Sequence, residues 1–497
     1  MNGFSEEQNE VLNGVRTALP PDVTVYLVGG FLRDHFLNRS TNDYDFVLTG
    51  DVLKIARRVG NSLLAAYFPL DAERQTARLV LNQPDGHRIK LDFAAMRGLD
   101  LESDLRSRDF TINAMAMPLG TGSELIDPLG SIGDLQRKVL KACSPAALLD
   151  DPVRVVRAVR LAVALMFRID PDTNHKIREA APKLVNVSSE RIRDELFRIL
   201  DGPQTASGIR LLDFFDALPV TLPEVVQLKG IVQPPPHIAN VWDHTLDVMQ
   251  RLDKILAALA VDYDEENVAS WAMGLISVRL GRFRQQISDH LKASLNPDRS
   301  LRSLLFFAAL YHDIGKPCTR QEDSAGRTRF FEHEHVGARL VSQRGRELRL
   351  SNEEIERLST IVENHMRPLL LAQTGRNLSR RAIYRYFRAT NAAGIDICLL
   401  SLADTLATYG PTLPRGTWMQ QLNVVRALME AWWERPEQTV NPPALVNGND
   451  LMQVFELTPG PLIGQLLDAI REAQADGQVY TREQALCLAR EFMEERA

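Results

Sequence analysis

Two aspartates with one residue between them, Asp43 and Asp45 of DYDFVL, follow a glycine pair, Gly29-Gly30, in LVGGFLRDHFLNRSTNDYDFVLTG (27–50). Strand alternation puts Asp43, Asp45 and Val47 on one face and Tyr44, Phe46 and Leu48 on the other. Carboxylates sharing a face repel unless a cation lies between them. Mg2+ meets that need, because its hard oxygen coordination leaves room for substrate phosphates. A third candidate is Asp92 of RIKLDFAA, which shares a face with Lys90 opposite Ile89, Leu91 and Phe93. Three carboxylates on neighbouring strands suit two metals, one activating a hydroxyl and one holding a triphosphate. Gly29-Gly30 ends an apolar strand and opens a helix, where backbone and helix N-terminus favour phosphate, with Arg33 one turn in. Alone, the glycine pair is explained as well by a tight turn, and D-x-D is common in loops. The order and spacing of the two give them weight.

A second set lies in DDPVRVVRAVR, where Asp151, Arg154, Arg157 and Arg160 recur every three residues and Pro152 is expected at the first helical position. Without a template, a carboxylate accepts from the exocyclic amine of C or A while an arginine donates to ring acceptors. Neither G nor U offers that amine at the same place. The plainer alternative is an amphipathic helix with a basic outer stripe.

These elements sit in an ordinary globular composition. The chain has 497 residues, 45% hydrophobic and 25% charged, with net charge −6. That length suggests about three domains. The polar, acidic start MNGFSEEQNE has neither the basic n-region nor the apolar h-region expected of a signal peptide, and the longest apolar run, LLFFAALY, is too short to span a membrane. Cys143, Cys318, Cys398 and Cys487 lack paired spacing and read as free thiols in a reducing cytoplasm. Residues 1–145 alternate short β-type runs with helical stretches, and strand signals fade after Pro145. QPPPH (233–237) and NPPALVNGND (441–450) break the pattern and are expected at domain junctions.

GGxxRD, DxD, RDFTINAMA (108–116) and DPVRVVRAVRLA (151–162) together resemble a tRNA nucleotidyltransferase of the class shared with bacterial poly(A) polymerases, within the DNA polymerase β-like nucleotidyltransferases. The resemblance implies that Asp43 and Asp45 hold catalytic Mg2+ with Asp92 as third carboxylate. It implies further that Gly29, Gly30 and Arg33 contact the triphosphate, Arg108 the nucleotide's phosphates, and Asp109 and Asn113 the sugar region. The plain alternatives are a surface ion pair for Arg108 and Asp109 and a cap for Asn113. The family's usual Glu-Asp-x-x-Arg stands here as Asp150-Asp151-Pro152-Val153-Arg154, one methylene shorter at its first position. Only FAAMRGLDLESDLRS (93–107) separates the third carboxylate from RDFTINA. The resemblance ties that region to switching between C and A addition, so its shortness raises a partial enzyme, adding only CC or only A.

His244 in VWDHTLDVM, His312-Asp313 in YHDIGKP, His333 in FEHEHVGA, His365 in ENHMRPL and Asp404 in LADTLA occur in an order that resembles an HD phosphohydrolase domain. That resemblance implies imidazole and carboxylate ligands converging from separate helices on a divalent metal whose identity the sequence does not give. A lone histidine on an apolar helix is a core residue. His335 is extra to the pattern.

The expected fold is α+β: a mixed-sheet head (1–145), a helical neck (146–232), a helical HD domain (233–410) and a small helical tail (411–497). The implied partners are tRNA, CTP and ATP, with no membrane. The competing functions are a poly(A) polymerase and an HD phosphohydrolase with a nucleotide-sensing head. The HD region and the C-terminal LVNGNDLMQVFELTPGPLIGQLL favour the tRNA enzyme. Local basic surpluses, ten Lys/Arg against seven Asp/Glu in 151–200 and eleven against five in 339–388, are where RNA phosphates would be met. RNLSRRAIYRYFR (376–388) adds Tyr384, Tyr386 and Phe387 for stacking; the alternative is a solvated arginine-rich face.

Overall fold

A computed structural model of the chain describes residues 4–83, 87–120, 124–262, 270–324, 326–375 and 377–494. Arg376 of the basic stretch lies outside the described residues. The chain forms two compact units, Met1–Ser188 with Leu211–Val220, and Ser189–Arg210 with Thr221–Ala497. QPPPH therefore lies inside the second unit.

The first unit is built on a six-stranded sheet: β1 (Val25–Val28), β2 (Asp43–Leu48), β3 (Ala66–Asp71), β4 (Thr76–Asn82), β5 (Arg88–Ala95) and β6 (Ala116–Pro118). The strand order is β3-β4-β5-β2-β1-β6, with β2 and β5 parallel and every other pair antiparallel. Alternation in β2 holds as read: Tyr44, Phe46 and Leu48 are buried. Phe46 stacks on Phe93 of β5 at 4.9 Å, and Phe31 of the helix Gly30–Phe36 meets Tyr44 at 4.3 Å. On the opposite face, Val47 and Val28 are covered by Leu105, Ala114 and Ala116. Apolar packing is thus confined to one end of that face, and the end carrying the aspartates is left to polar chemistry.

The second unit is helical. Leu301–Tyr311 is buried at every position except Arg302, as expected of a core helix. Around it lie Val241–Ala258, His333–Glu347, Asn352–Asn364 and Ala393–Tyr409. The last three helices, Gly448–Phe455, Pro461–Asp476 and Arg482–Glu494, enclose an apolar cluster that includes Leu451, Leu466, Ile470 and Ala485. Three short strand pairs beyond residue 138 have no counterpart in the sequence reading, because runs of two or three residues carry no period.

All four cysteines are free: Cys318 and Cys487 are exposed, Cys143 half-buried and Cys398 buried. Burial pushes the Cys398 thiol up to about 12, and raises the Cys143 thiol further with the help of Asp109. Among the described residues no single helix is long and apolar enough to cross a membrane.

Candidate active site and metal centre

In the parallel β2–β5 pair, Asp45 lies directly opposite Asp92 and Asp43 opposite Lys90. β1 places Val28 opposite Asp45, so the glycine pair follows at the height of the carboxylates. A Cβ on Gly29 would stand 2.8 Å from Asp45 Oδ2 and 3.5 Å from Arg108 Nη1, at a φ of +74°. Only glycine allows that approach. Burial and the neighbouring Asp92 and Asp43 push the Asp45 carboxyl up to about 6, although Arg108 and the Gly30 N–H pull it down. Such a cluster is relieved by a cation, and its oxygen-only donors fit Mg2+. Asp92 meets a cation already, since Arg78 of β4 donates to both its oxygens at 2.7 and 2.8 Å. The sequence reading missed Arg78, because only strand pairing puts it opposite Asp92.

The remaining head residues form a chain of charge-assisted hydrogen bonds. Arg33 donates to both oxygens of Asp34 and, at 2.8 Å, to Asn113 Oδ1. Asn113 donates to Asp109, whose other oxygen meets Arg157 at 3.2 Å. Burial alone would raise the Asp109 carboxyl, but Arg157, Asn113 and the Phe110 N–H outweigh it and hold it low. Arg108 is gripped by the buried Asp104 at 3.0 and 3.1 Å, a partner absent from the sequence reading.

The helix expected from Pro152 starts two residues later, at Arg154, because Asp151–Val153 form a turn after the short helix Ala147–Asp150. Arg160 is half-buried, two turns along. Arg154 is buried and donates to the carbonyls of Ala147, Arg108 and Ser107 at 3.0–3.2 Å. Its Nε lies 3.8 Å from Asp151 and makes no hydrogen bond. Arg154→Ala therefore carries two expected effects. Unpaired buried carbonyls cost roughly 1–3 kcal/mol each, so the melting temperature falls. Selection against UTP and GTP relaxes as well. Thermal melting and single-nucleotide incorporation read both; an equal loss for all four nucleotides would leave Arg154 a brace alone.

In the second unit, all six sequence-identified residues converge. His244 Nε2 lies 3.0 Å from Asp404 Oδ1 and 3.7 Å from Asp313 Oδ2. His312 Nε2 lies 3.3 Å from Asp313 Oδ2, and His333 Nε2 lies 3.4 Å from Oδ1. Two metal-sized groups result, His244-His312-Asp313 and Asp313-His333-His365, sharing Asp313. His312, His333 and His365 each point Nδ1 at the carbonyl three residues earlier, at 2.7–3.0 Å. A carbonyl only accepts, so Nδ1 carries the proton and Nε2 is left to ligate. The Nε2 atoms of His244, His312 and His333 are buried without a hydrogen-bond partner, which is the state expected of ligands for a divalent metal. The Ile314-Gly315 turn packs on the helix start: a Cβ on Gly315 would lie 2.1 Å from the carbonyl of His333.

Burial would raise Asp313, yet Lys316 at 2.7 Å and His312 hold it well below the carboxylate range. Burial, with His312 and His333 close by, lowers His365 to about 3. Lys316, also buried, was missed, although it stands three residues after Asp313 in the quoted YHDIGKP. The extra His335 pairs with Glu363 at the surface, 3.1 Å away.

The basic stretch is corrected. Tyr384 and Tyr386 are buried, and Tyr386 donates its hydroxyl to the Gly394 carbonyl at 2.7 Å, so neither offers a face for stacking. Arg381 and Arg385 both pair with Glu472, and Arg388 pairs with Asp468 at 2.8 Å. The apolar side of Arg380–Thr390 faces the core and its arginines meet acids of Pro461–Asp476. Arg381→Ala with Arg385→Ala should leave the salt slope of RNA affinity nearly unchanged. Exposed pairs contribute about 0–1 kcal/mol each, so the melting temperature should fall only slightly. A slope made shallower by one or more units would return these arginines to RNA.

Family models match along the chain: the poly A polymerase head domain over 25–141, the probable RNA- and SrmB-binding site of polymerase A over 166–228, the HD domain over 241–409, and tRNA nucleotidyltransferase domain 2 over 438–489. The A-adding tRNA nucleotidyltransferase of Deinococcus radiodurans is 32% identical over 97% of this chain and 98% of its own. The chain belongs to the tRNA nucleotidyltransferase family. The CC-adding tRNA nucleotidyltransferase of Thermus thermophilus is also 32% identical, over 92% of this chain and 91% of its own. Among solved structures, a CCA-adding enzyme in complex with ATP shares the fold of this family member at a TM-score of 0.59 and 20% identity, covering 99% of this chain and 96% of that one.

Proposed function

We propose that the protein adds part of the CCA end to tRNA, using CTP or ATP without a template. The observation that carries this reading is Asp45 set opposite Asp92, directly behind the Gly29-Gly30 turn and beside Arg108. Mg2+ bound by Asp43 and Asp45, with Asp92 as third carboxylate, would supply Lewis-acid stabilisation of the triphosphate and of the attacking 3′ hydroxyl. Around it, Gly29, Gly30 and Arg33 bind the triphosphate, and Arg108, fixed by Asp104, holds phosphate charge. Asp109 and Asn113 position the sugar. Asp151 accepts from the amine of C or A while Arg154 orients it, and Arg157 and Arg160 extend the basic side of the helix. The work divides among a catalytic head (1–145), a base-selecting, RNA-binding neck (146–232), an HD domain (233–410) and a tail (411–497).

Partial addition is supported by the 93–107 connection. It is braced: Asp100 caps Leu101–Arg106, and Asp104 accepts from both the Arg97 N–H and Arg108. Such a segment has little slack for alternating between two bases. The HD centre, loaded with a divalent metal, hydrolyses phosphate esters separately.

The test uses tRNAs ending before CCA, after C and after CC, each NTP supplied singly, and sequencing of products. Partial addition gives CC on the first substrate or A on the last, but not both. CC on the first substrate together with A on the last would overturn the restriction, and an open-ended A tail would make the protein a poly(A) polymerase.

A further inference from the structure

QPPPH reads as a linker, yet two of its side chains reach the HD centre. Gln233 is buried and accepts from Lys316 Nζ at 2.5 Å; Lys316 in turn donates to Asp313. Gln233 also donates to the Ala239 carbonyl at 3.3 Å, closing the segment on itself. His237 packs edge-on against His244, with ring centroids 5.2 Å apart and planes at 77°. Its Nδ1 meets the carbonyl of Pro234 at 3.2 Å, again three residues earlier. That is the device that orients His312, His333 and His365, and it leaves Nε2 as the nitrogen available to a ligand. His237 differs from them in one respect: it is partly exposed where they are buried. It stands where the centre meets solvent.

We propose that His237 is a further residue of the HD-domain centre, whose Nε2 accepts a hydrogen bond from the water that attacks a bound phosphate ester. The proposal rests on the phosphohydrolase reading above. In that hydrolysis one water adds across the ester bond: its oxygen forms the new P–O bond, the P–O bond to the alcohol breaks, and the alcohol leaves with a proton. No oxidant or reductant is needed. His237 fixes the direction of the water's lone pair, while Gln233 holds the segment in place through Lys316. An acceptor here matters because an unoriented water attacks off line.

The experiment compares wild type, His237→Ala, His237→Gln and His312→Ala in the full chain. Co2+ is the metal probe, read by titration and by its visible absorption, and bis(p-nitrophenyl) phosphate is the ester. In His237→Ala, kcat is expected to fall about 10–100-fold with the Co2+ stoichiometry kept and its spectrum shifted, as when an outer partner of a metal site is removed. His237→Gln, which retains an acceptor, is expected to recover part of the rate. Wild-type kcat and spectrum in His237→Ala would overturn the proposal. So would joint loss of Co2+ and melting temperature in both His237 variants, which would mark a packing role. If wild type binds no more Co2+ than His312→Ala, the phosphohydrolase reading itself falls, a result distinct from the other two.

Discussion

Asp45→Asn removes nucleotide incorporation and, in metal-free protein at pH 8, raises the melting temperature. The two effects have one cause. The Asp45 carboxyl is pushed up to about 6 from an ordinary 3.8 by burial and by Asp92 and Asp43. A folded-state value above the unfolded one means a contribution to stability that is full below about 3.8 and lost as pH rises through about 6. At pH 8 the ionised carboxylate therefore works against the fold until a cation is present, and asparagine removes that repulsion. Mg2+ should raise the wild-type melting temperature more at pH 8 than at pH 5, and should do so weakly in the variant. On activity, a lost metal ligand forfeits several kcal/mol of charge stabilisation, about 10^3-fold or more. Incorporation above a few per cent of wild type would refute the assignment, and an unchanged melting temperature at pH 8 would refute the electrostatic account.

His312→Ala should strip the second unit of its divalent metal and of ester hydrolysis while tRNA extension continues. His312 supplies a buried, unpartnered Nε2 beside Asp313, and alanine offers nothing in its place. The loss of metal affinity should exceed the roughly 10–100-fold cost of losing a mere outer-shell partner. Asp313→Ala is the harsher change. It would leave the Lys316 ammonium buried with no carboxylate partner, beside Gln233 and the Phe330 ring, and breaking a buried pair costs about 3–5 kcal/mol. Metal analysis, hydrolysis and melting of both variants separate ligand loss from unfolding. Equal metal content in wild type and His312→Ala would make the histidines structural.

The head was legible because its chemistry follows a period of two. Once DYDFVL is a strand, Asp43 and Asp45 share a face, and RIKLDFAA supplies Asp92 in the same way. What pairing alone determines stayed hidden: Arg78 against Asp92 depends on the register of β4, and Asp104 beneath Arg108 on how a short helix folds back. The histidines were legible as a set by order, whereas Gln233 and His237 were not, since a proline run reads as a break and says nothing of what packs against it. Charge counting misled in one place. It found the arginines of Arg380–Thr390 but not Glu472 and Asp468, some eighty residues on, which neutralise them. Tyrosines in a basic run look like a stacking platform until the helix is turned and they prove to lie on its apolar side.

Each compact unit carries one less accessible thiol, the half-buried Cys143 in the first and the buried Cys398 in the second, while Cys318 and Cys487 are open to solvent. Burial keeps both of these sulfurs protonated at neutral pH, so they are poor nucleophiles as well. The chain is thus supplied with a pair of internal clocks. An alkylating reagent should consume Cys318 and Cys487 at once, reach the half-buried Cys143 more slowly, and wait for Cys398 on opening of the second unit, at a rate set by that unit's own opening free energy. Mass spectrometry of the two slow peptides would time the catalytic half and the helical half separately in a single tube. A nucleotide with Mg2+ should slow the Cys143 clock alone, and a metal held by the histidines only that of Cys398.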